Sequence, residues 1–338
     1  MKQKKKYNED AYRFAAAKIC CRSAKLMTPA VFSSLCELES SRALRERLPE
    51  CGILAGSATE DDTLETLLTA FLRESYAELA TFLPDTELCA LMQARFDCHN
   101  LKTAVKCRKA GLAPDPYYID CGSVPSEKVG EAVFSGEYSA FPATLAAAAG
   151  TAWQAIAENA SARTVDTLLD NACFAYMTEQ ADALGCRPVR RLLALKADLT
   201  NVITLFRIRN LRNTELARQL AADSFVAGGT ISPEKLQAAE DNRAAAALLT
   251  GTVTDARLGL FLKAISADAS VDDLAALADS IFYSEVLDIA KTSLLGIYPV
   301  LEYIIRLEYQ VKNIRILSAG LDAGKSPDQL REELRSYV

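Results

Sequence analysis

The chain has 338 residues, of which half are apolar and 24% charged, enough for a sizeable core and too apolar for a disordered polymer. Its net charge of −6 argues against nucleic acid as the main partner. The basic tip 1–6 is followed by no apolar stretch, so it does not read as a secretory signal, and the longest mostly apolar run, 141–157, is broken by Thr144, Gly150, Thr151 and Gln154 and falls short of the roughly 20 residues a bilayer span needs.

Taken in order, almost every segment predicts helix. Tyr12 to Met27 is Ala-rich and amphipathic, and Thr28-Pro29 supplies a cap and a first-turn proline for the next helix. Thr59-Glu60-Asp61-Asp62 opens a helix to about Leu83; after Pro84, Asp85 caps one reaching about Ala110. Gly111 to Pro125 holds three prolines and predicts a non-helical linker with Tyr117–Ile119 extended. Helices follow from Ser126, over Phe141 to Glu158, and over Thr164 to Leu184, the last stopped by Gly185 and Pro188. Beyond the helix Arg191 to Asn210, Gly228-Gly229 is a turn and Ser232-Pro233 a helix start. Ser270 to Asp273 resembles a capping box opening a helix to Leu295, Pro299 begins another, and Ser326 caps a short final one. Strand signals are nearly absent, so the fold class is all-α.

Three of these helices carry the same stripe. Leu192, Leu195, Leu199, Val202 and Phe206 step by 3 and 4, as one buried helical face does. The stripe recurs at an offset of 101 in Leu91, Ala94, Cys98, Leu101 and Val105, and at 112 in Ile304, Leu307, Val311, Ile314 and Ser318. Beside each stripe sits an asparagine (Asn100, Asn201, Asn313), preceded three residues earlier by Asp97, Asp198 and Gln310 and followed by Leu101, Val202 and Ile314. A helix with an aromatic (Phe71, Phe174, Tyr283) precedes each, so each copy ends in a helical hairpin. The expected organisation is three pseudo-repeated helical domains, 1–115, 116–215 and 216–338. The repeated polar pairs are expected to fix helix register through hydrogen bonds.

Other chemistry is thin. The ten cysteines include no CxxC, which suits reduced thiols in a cytosolic compartment. The single histidine, His99, lacks the companions a zinc site needs. Asp61, Asp62 and Glu65 form a DDxxE-like cluster of the kind that holds magnesium against a diphosphate, but acidic groups in a first helical turn also answer the helix dipole. There is no P-loop, and Gly320 to Lys325 reads as a helix C-cap. No cofactor or catalytic set is expected. Basic residues concentrate in Arg95 to Lys109 and Arg187 to Arg218, either as helix C-terminal complements or as a docking face including Lys106, Arg108, Arg207, Arg209 and Arg212.

The segments Phe96-Asp97-x-x-Asn100-Leu101-Lys102-x-Ala104, Lys196-x-Asp198-x-x-Asn201-Val202-x-Thr204-Leu205-x-Arg207-x-Arg209 and Glu308-x-x-x-Lys312-Asn313-Ile314-Arg315 resemble the C subunit of V/A-type rotary ATPases, the counterpart of the d subunit of the eukaryotic vacuolar enzyme. The likeness covers essentially the whole chain; the third copy departs from it at Gln310 and Ser318. The resemblance implies a funnel with pseudo-threefold symmetry that sockets the axle subunits, of D and F type, onto the membrane proteolipid ring. It implies a non-catalytic, cytoplasmic, peripheral subunit that transmits torque for H+ or Na+ transport, with no membrane span of its own. The alternative is a helical magnesium-dependent, diphosphate-using enzyme resting on Asp61, Asp62 and Glu65.

Overall fold

The computed structural model describes residues 7–53, 62–211 and 224–335, and among them every regular element is helical. In chain order the α-helices are α1 (Arg13–Ser23), α2 (Pro29–Leu35), α3 (Ser41–Arg47), α4 (Leu64–Ala80), α5 (Thr86–Ala110), α6 (Ser126–Ser135), α7 (Ala143–Ala157), α8 (Ala162–Leu184) and α9 (Arg187–Arg209). They continue as α10 (Pro233–Ala238), α11 (Asn242–Ala247), α12 (Asp255–Ser266), α13 (Val271–Ala290), α14 (Tyr298–Asp322) and α15 (Pro327–Glu333). The chain divides into two compact units, one centred on Asp85–Glu285, the other made of Asn8–Pro84 and Val286–Val338.

Caps explain most boundaries. Thr28, Ser40, Thr63, Ser161, Ser232, Asp241 and Ser326 each accept a first-turn N–H with the side-chain oxygen, and Ser326 forms a full capping box with Gln329. Gly111, Gly136 and Gly185 close α5, α6 and α8 in the left-handed conformation that costs glycine least. Several expectations shift. The first helix ends at Ser23 rather than Met27, and α9 begins at Arg187 rather than Arg191. The cap of α4 is Thr63, so Asp62 precedes the helix, while Thr59 to Asp61 lie outside the described residues. The segment 111–125 contains a 3-10 turn at Asp115–Tyr117 before Tyr118 turns extended. The helix expected to run to Leu295 ends at Ala290; beyond it the Thr292 hydroxyl donates back to the Ile289 carbonyl and the Ser293 hydroxyl donates forward to the Leu295 carbonyl. Gly320 lies within α14, and Gly324 supplies the left-handed turn after it, with the Lys325 N–H donating to the Gly320 carbonyl.

Each stripe is a core face. All five second-copy residues are buried, and in the other copies only Leu91 and Ser318, at the stripe ends, are half-buried. In the larger unit α5 packs most extensively on α8, with α6 and α7 completing a core that includes Leu101, Val105, Leu145 and Leu169. The α9 stripe faces a second core formed with α10 to α13, where Phe206 and Phe261 stack with centroids 6.2 Å apart. In the other unit α14 packs on α1, α3, α4 and α15. Burying each large aliphatic side chain in such a core contributes about 1.5–3 kcal/mol. Ion pairs tie the long helices of the larger unit together: Lys102 to Asp170 at 2.7 Å and Lys106 to Asp166 join α5 and α8, and Lys196 to Asp279 at 3.0 Å joins α9 and α13.

Candidate functional site

The repeated polar residues are the most organised chemistry in the chain. Asp97, Asn100, Asp198, Asn201, Gln310 and Asn313 are all at most 5% exposed. Residues three apart on a helix share a face, so each pair presents two polar groups one turn apart toward the same neighbour. That neighbour is an irregular loop rather than another helix.

Asn100 donates from Nδ2 to the Ile119 carbonyl at 2.9 Å and accepts the Ile119 N–H at 2.9 Å. Asn201 does the same with Val226, at 2.9 and 2.8 Å. Asn313 repeats it with Arg335, at 3.1 and 2.9 Å. A carboxamide is suited to this because one short side chain both donates and accepts, satisfying both backbone groups of a single residue. Asp97 instead meets donors only: the Ser123 N–H and hydroxyl on one oxygen and the Val124 N–H on the other. Asp198 receives the matching set from Thr230 and Ile231. A carboxylate, which only accepts, is the group that three converging donors require.

The third copy is chemically reduced. Gln310 Oε1 accepts one donor, the Met27 N–H, at 2.7 Å. Leu26 stands where the others have Ser123 and Thr230, so no hydroxyl is present to bind. The two loop segments also come from opposite ends of the chain, Met27 before α2 and Arg335 after α15. In all three copies the clamped residue leads directly into a helix: Val124 into α6, Ile231 into α10, Met27 into α2.

Sequence reasoning found the helix side of this device and missed the loop side. Ile119-x-x-Gly122-Ser123-Val124 and Val226-x-x-Gly229-Thr230-Ile231 match at an offset of 107, against 101 for the stripes. The changed offset, in segments read as a linker and a turn, hid the correspondence. Both glycines are sterically required. A Cβ on Gly122 would lie 2.1 Å from Asp97 Oδ1, and one on Gly229 would lie 2.2 Å from Asp198 Oδ1. Burial raises the Asp97 carboxyl above its ordinary value, the three hydrogen bonds opposing it in part.

The basic residues expected to form a docking face have partners inside the larger unit. Lys106 pairs with Asp166, and the matching Arg207 lies 4.0 Å from Asp272. Arg108 donates to the Val133 carbonyl near the end of α6 and lies 3.7 Å from the centroid of the Trp153 ring. Arg209 likewise donates to the Ala239 carbonyl just past α10 and to Asn242 at 3.2 Å. Burial pulls the Arg209 guanidinium below its ordinary value, against the opposing charge of Asp241. Arg212 lies outside the described residues.

Of the DDxxE-like cluster, Asp61 lies outside the described residues, and Glu65 receives both Nε and Nη2 of Arg315. His99 Nε2 sits 3.1 Å from the Tyr117 carbonyl. Among the described residues no three His, Cys, Asp or Glu side chains converge as a metal site, and no helix is long and apolar enough to cross a membrane.

Among the described residues the chain is an all-α scaffold whose repeated polar pairs hold the segments between its helices. Residues 15–333 match the model of the ATP synthase (C/AC39) subunit family, and the chain belongs to that family. It is similar to the C subunit of the V-type sodium ATPase of Enterococcus hirae, at 25% identity over 81% of this chain and 83% of that protein. It is also similar to the C subunit of the A-type ATP synthase of Thermococcus onnurineus, at 21% identity over 95% of this chain and 89% of the relative.

Proposed function

We propose that the chain is the non-catalytic central-stalk subunit of a V/A-type ATPase or ATP synthase, seating axle subunits of D and F type on the membrane proteolipid ring and passing torque between them. It acts as a cytoplasmic, peripheral component of the complex, in a funnel assembled from three repeats, 1–115, 116–215 and 216–338. The observation that carries this reading is membership of the subunit family over nearly the whole chain. The clamps support it. Paired side chains on α5 and α9 each fix one loop at two points, and the pair on α14 holds two separate segments, which suits a part that carries load. The outward parts of Lys106 and Arg207 contribute to a docking face. The diphosphate-enzyme alternative gains no support from Glu65, whose carboxylate is committed to Arg315.

The test is capture of tagged protein from its native cells in mild detergent, with partners identified by mass spectrometry. Recovery of axle subunits with the proteolipid ring is expected. Recovery of the chain alone, with the intact ATPase present in the same extract, overturns the proposal.

A further inference from the structure

Helix α9 opens with three arginines and no acid in its first turn. Arg187 stands three and four residues before Arg190 and Arg191, so all three charges share one face. The N-terminal end of a helix carries partial positive charge, so cations there oppose both the dipole and one another. This differs from Arg207 and Arg209 in the last turn of the same helix, where the dipole favours them. Among the described residues only Arg190 is offset internally, by Asp182 at 3.3 Å and the Gly228 carbonyl at 3.1 Å. The Arg187 and Arg191 side chains are exposed and make no hydrogen bond or ion pair with another described residue.

The arginines border a cavity of about 420 Å³. Its lining also includes Ala194, Leu195, Gly228, Gly229, Thr230 and Thr252. Of these, Thr230 is held in place by Asp198, which accepts its N–H and hydroxyl. The Thr252 hydroxyl donates to the Leu249 carbonyl. Attraction in the cavity therefore comes from the guanidinium groups, with Ala194 and Leu195 as its aliphatic lining. No aromatic ring borders it to stack a base.

We propose that this cavity is a docking site for an acidic segment of a neighbouring protein subunit, with carboxylates on Arg187 and Arg191 and an aliphatic side chain over Ala194 and Leu195. The inference rests on the subunit reading above and adds to it the partner's chemistry and its place of attachment. Guanidinium forks match carboxylates in two-point geometry, and a cationic cavity on a chain of net charge −6 selects an acidic segment by complementarity.

The test places a benzophenone amino acid at Thr252 of the full tagged chain in its native cells, followed by irradiation, purification in mild detergent and sequencing of cross-linked peptides. The expected product is a peptide of another ATPase subunit bearing at least two Asp or Glu residues. Arg187→Glu/Arg191→Glu lowers its yield about tenfold or more, and Arg187→Gln/Arg191→Gln lowers it by less. Both side chains are exposed and oppose the helix dipole, so the thermal melt of either variant stays at or slightly above the parent value. With the ATPase subunits recovered, the docking proposal alone is overturned by a cross-linked peptide without carboxylates, a lipid or nucleic-acid adduct, no adduct, or a yield unmoved by the double reversal. Failure to recover any ATPase subunit overturns the subunit reading, and this inference with it.

Discussion

Gly229 lies so close above Asp198 that a Cβ added to it would stand 2.2 Å from the carboxylate oxygen, well inside any tolerated contact. The approach lets the Thr230 and Ile231 N–H groups reach that carboxylate together. Gly229→Ala must push the loop off the helix or displace the buried Asp198 side chain. The expected loss is about 1–3 kcal/mol, read as a lowered urea midpoint at unchanged slope. Gly122→Ala, 2.1 Å from Asp97, is expected to match it. In Gly229→Ala/Asp198→Ala the two effects are expected to add to less than their sum, because one contact is broken twice.

Asn201 makes a two-way exchange with Val226, so its chemistry is tested by a change that keeps its shape. Asn201→Asp retains an acceptor for the Val226 N–H but turns an oxygen toward the Val226 carbonyl, where Nδ2 now donates at 2.9 Å. Two acceptors then face each other in a buried site. At neutral pH the expected cost is at least about 2 kcal/mol, with a similar cost for Asn100→Asp. Equal stability of Asn201→Asp and the parent protein in chemical denaturation would show that the exchange does not hold the loop.

The sequence showed the helices plainly because they speak in a period of 3.6 and in capping residues, both local signals. Asp97 and Asn100 stood out because the same pair returns in Asp198 and Asn201. Their partners did not, because Ile119 and Val226 contribute backbone groups, which any residue possesses. Met27 and Arg335 were further hidden, lying 283 and 22 residues from Gln310 and Asn313. The cavity beside Arg187 was illegible for a related reason. Charge counting placed Arg187, Arg190 and Arg191 with Arg207 and Arg209 in one basic run, and only the start of α9 at Arg187 separates one helix end from the other.

Asp97 gives stability a defined pH dependence. Burial raises its carboxyl above the ordinary value of 3.8, so the folded chain binds that proton more tightly than the unfolded chain. A raised value contributes stability fully present below 3.8 and lost as pH rises through the folded value. Asp97→Asn removes this titration. The stability of the parent minus that of Asp97→Asn is therefore expected to be largest in acid, to fall above pH 3.8 and to level off toward neutrality, as measured by urea unfolding across pH. A difference that grows with pH would mean that the donors of Ser123 and Val124 outweigh burial.

The third clamp accounts for its own exception. Asp97 and Asp198 each meet three donors, a set that matches the acceptor-only chemistry of a carboxylate, whereas Gln310 holds the single N–H of Met27. A neutral amide suits one donor, because a buried charge with so little hydrogen bonding is costly. Gln310→Glu tests this at nearly constant shape. The new carboxyl is expected to titrate above the ordinary glutamate value of about 4.3, so its proton is bound more tightly in the folded state. Stability should then approach that of the parent near pH 4 and fall as pH rises, by about 1–3 kcal/mol at pH 8. Gln310→Leu, which leaves the Met27 N–H without its acceptor, should lose a similar amount with no dependence on pH of its own. Urea midpoints of the two variants from pH 4 to 8 separate the cases. Parallel curves would mean that charge plays no part in the choice of glutamine at this position.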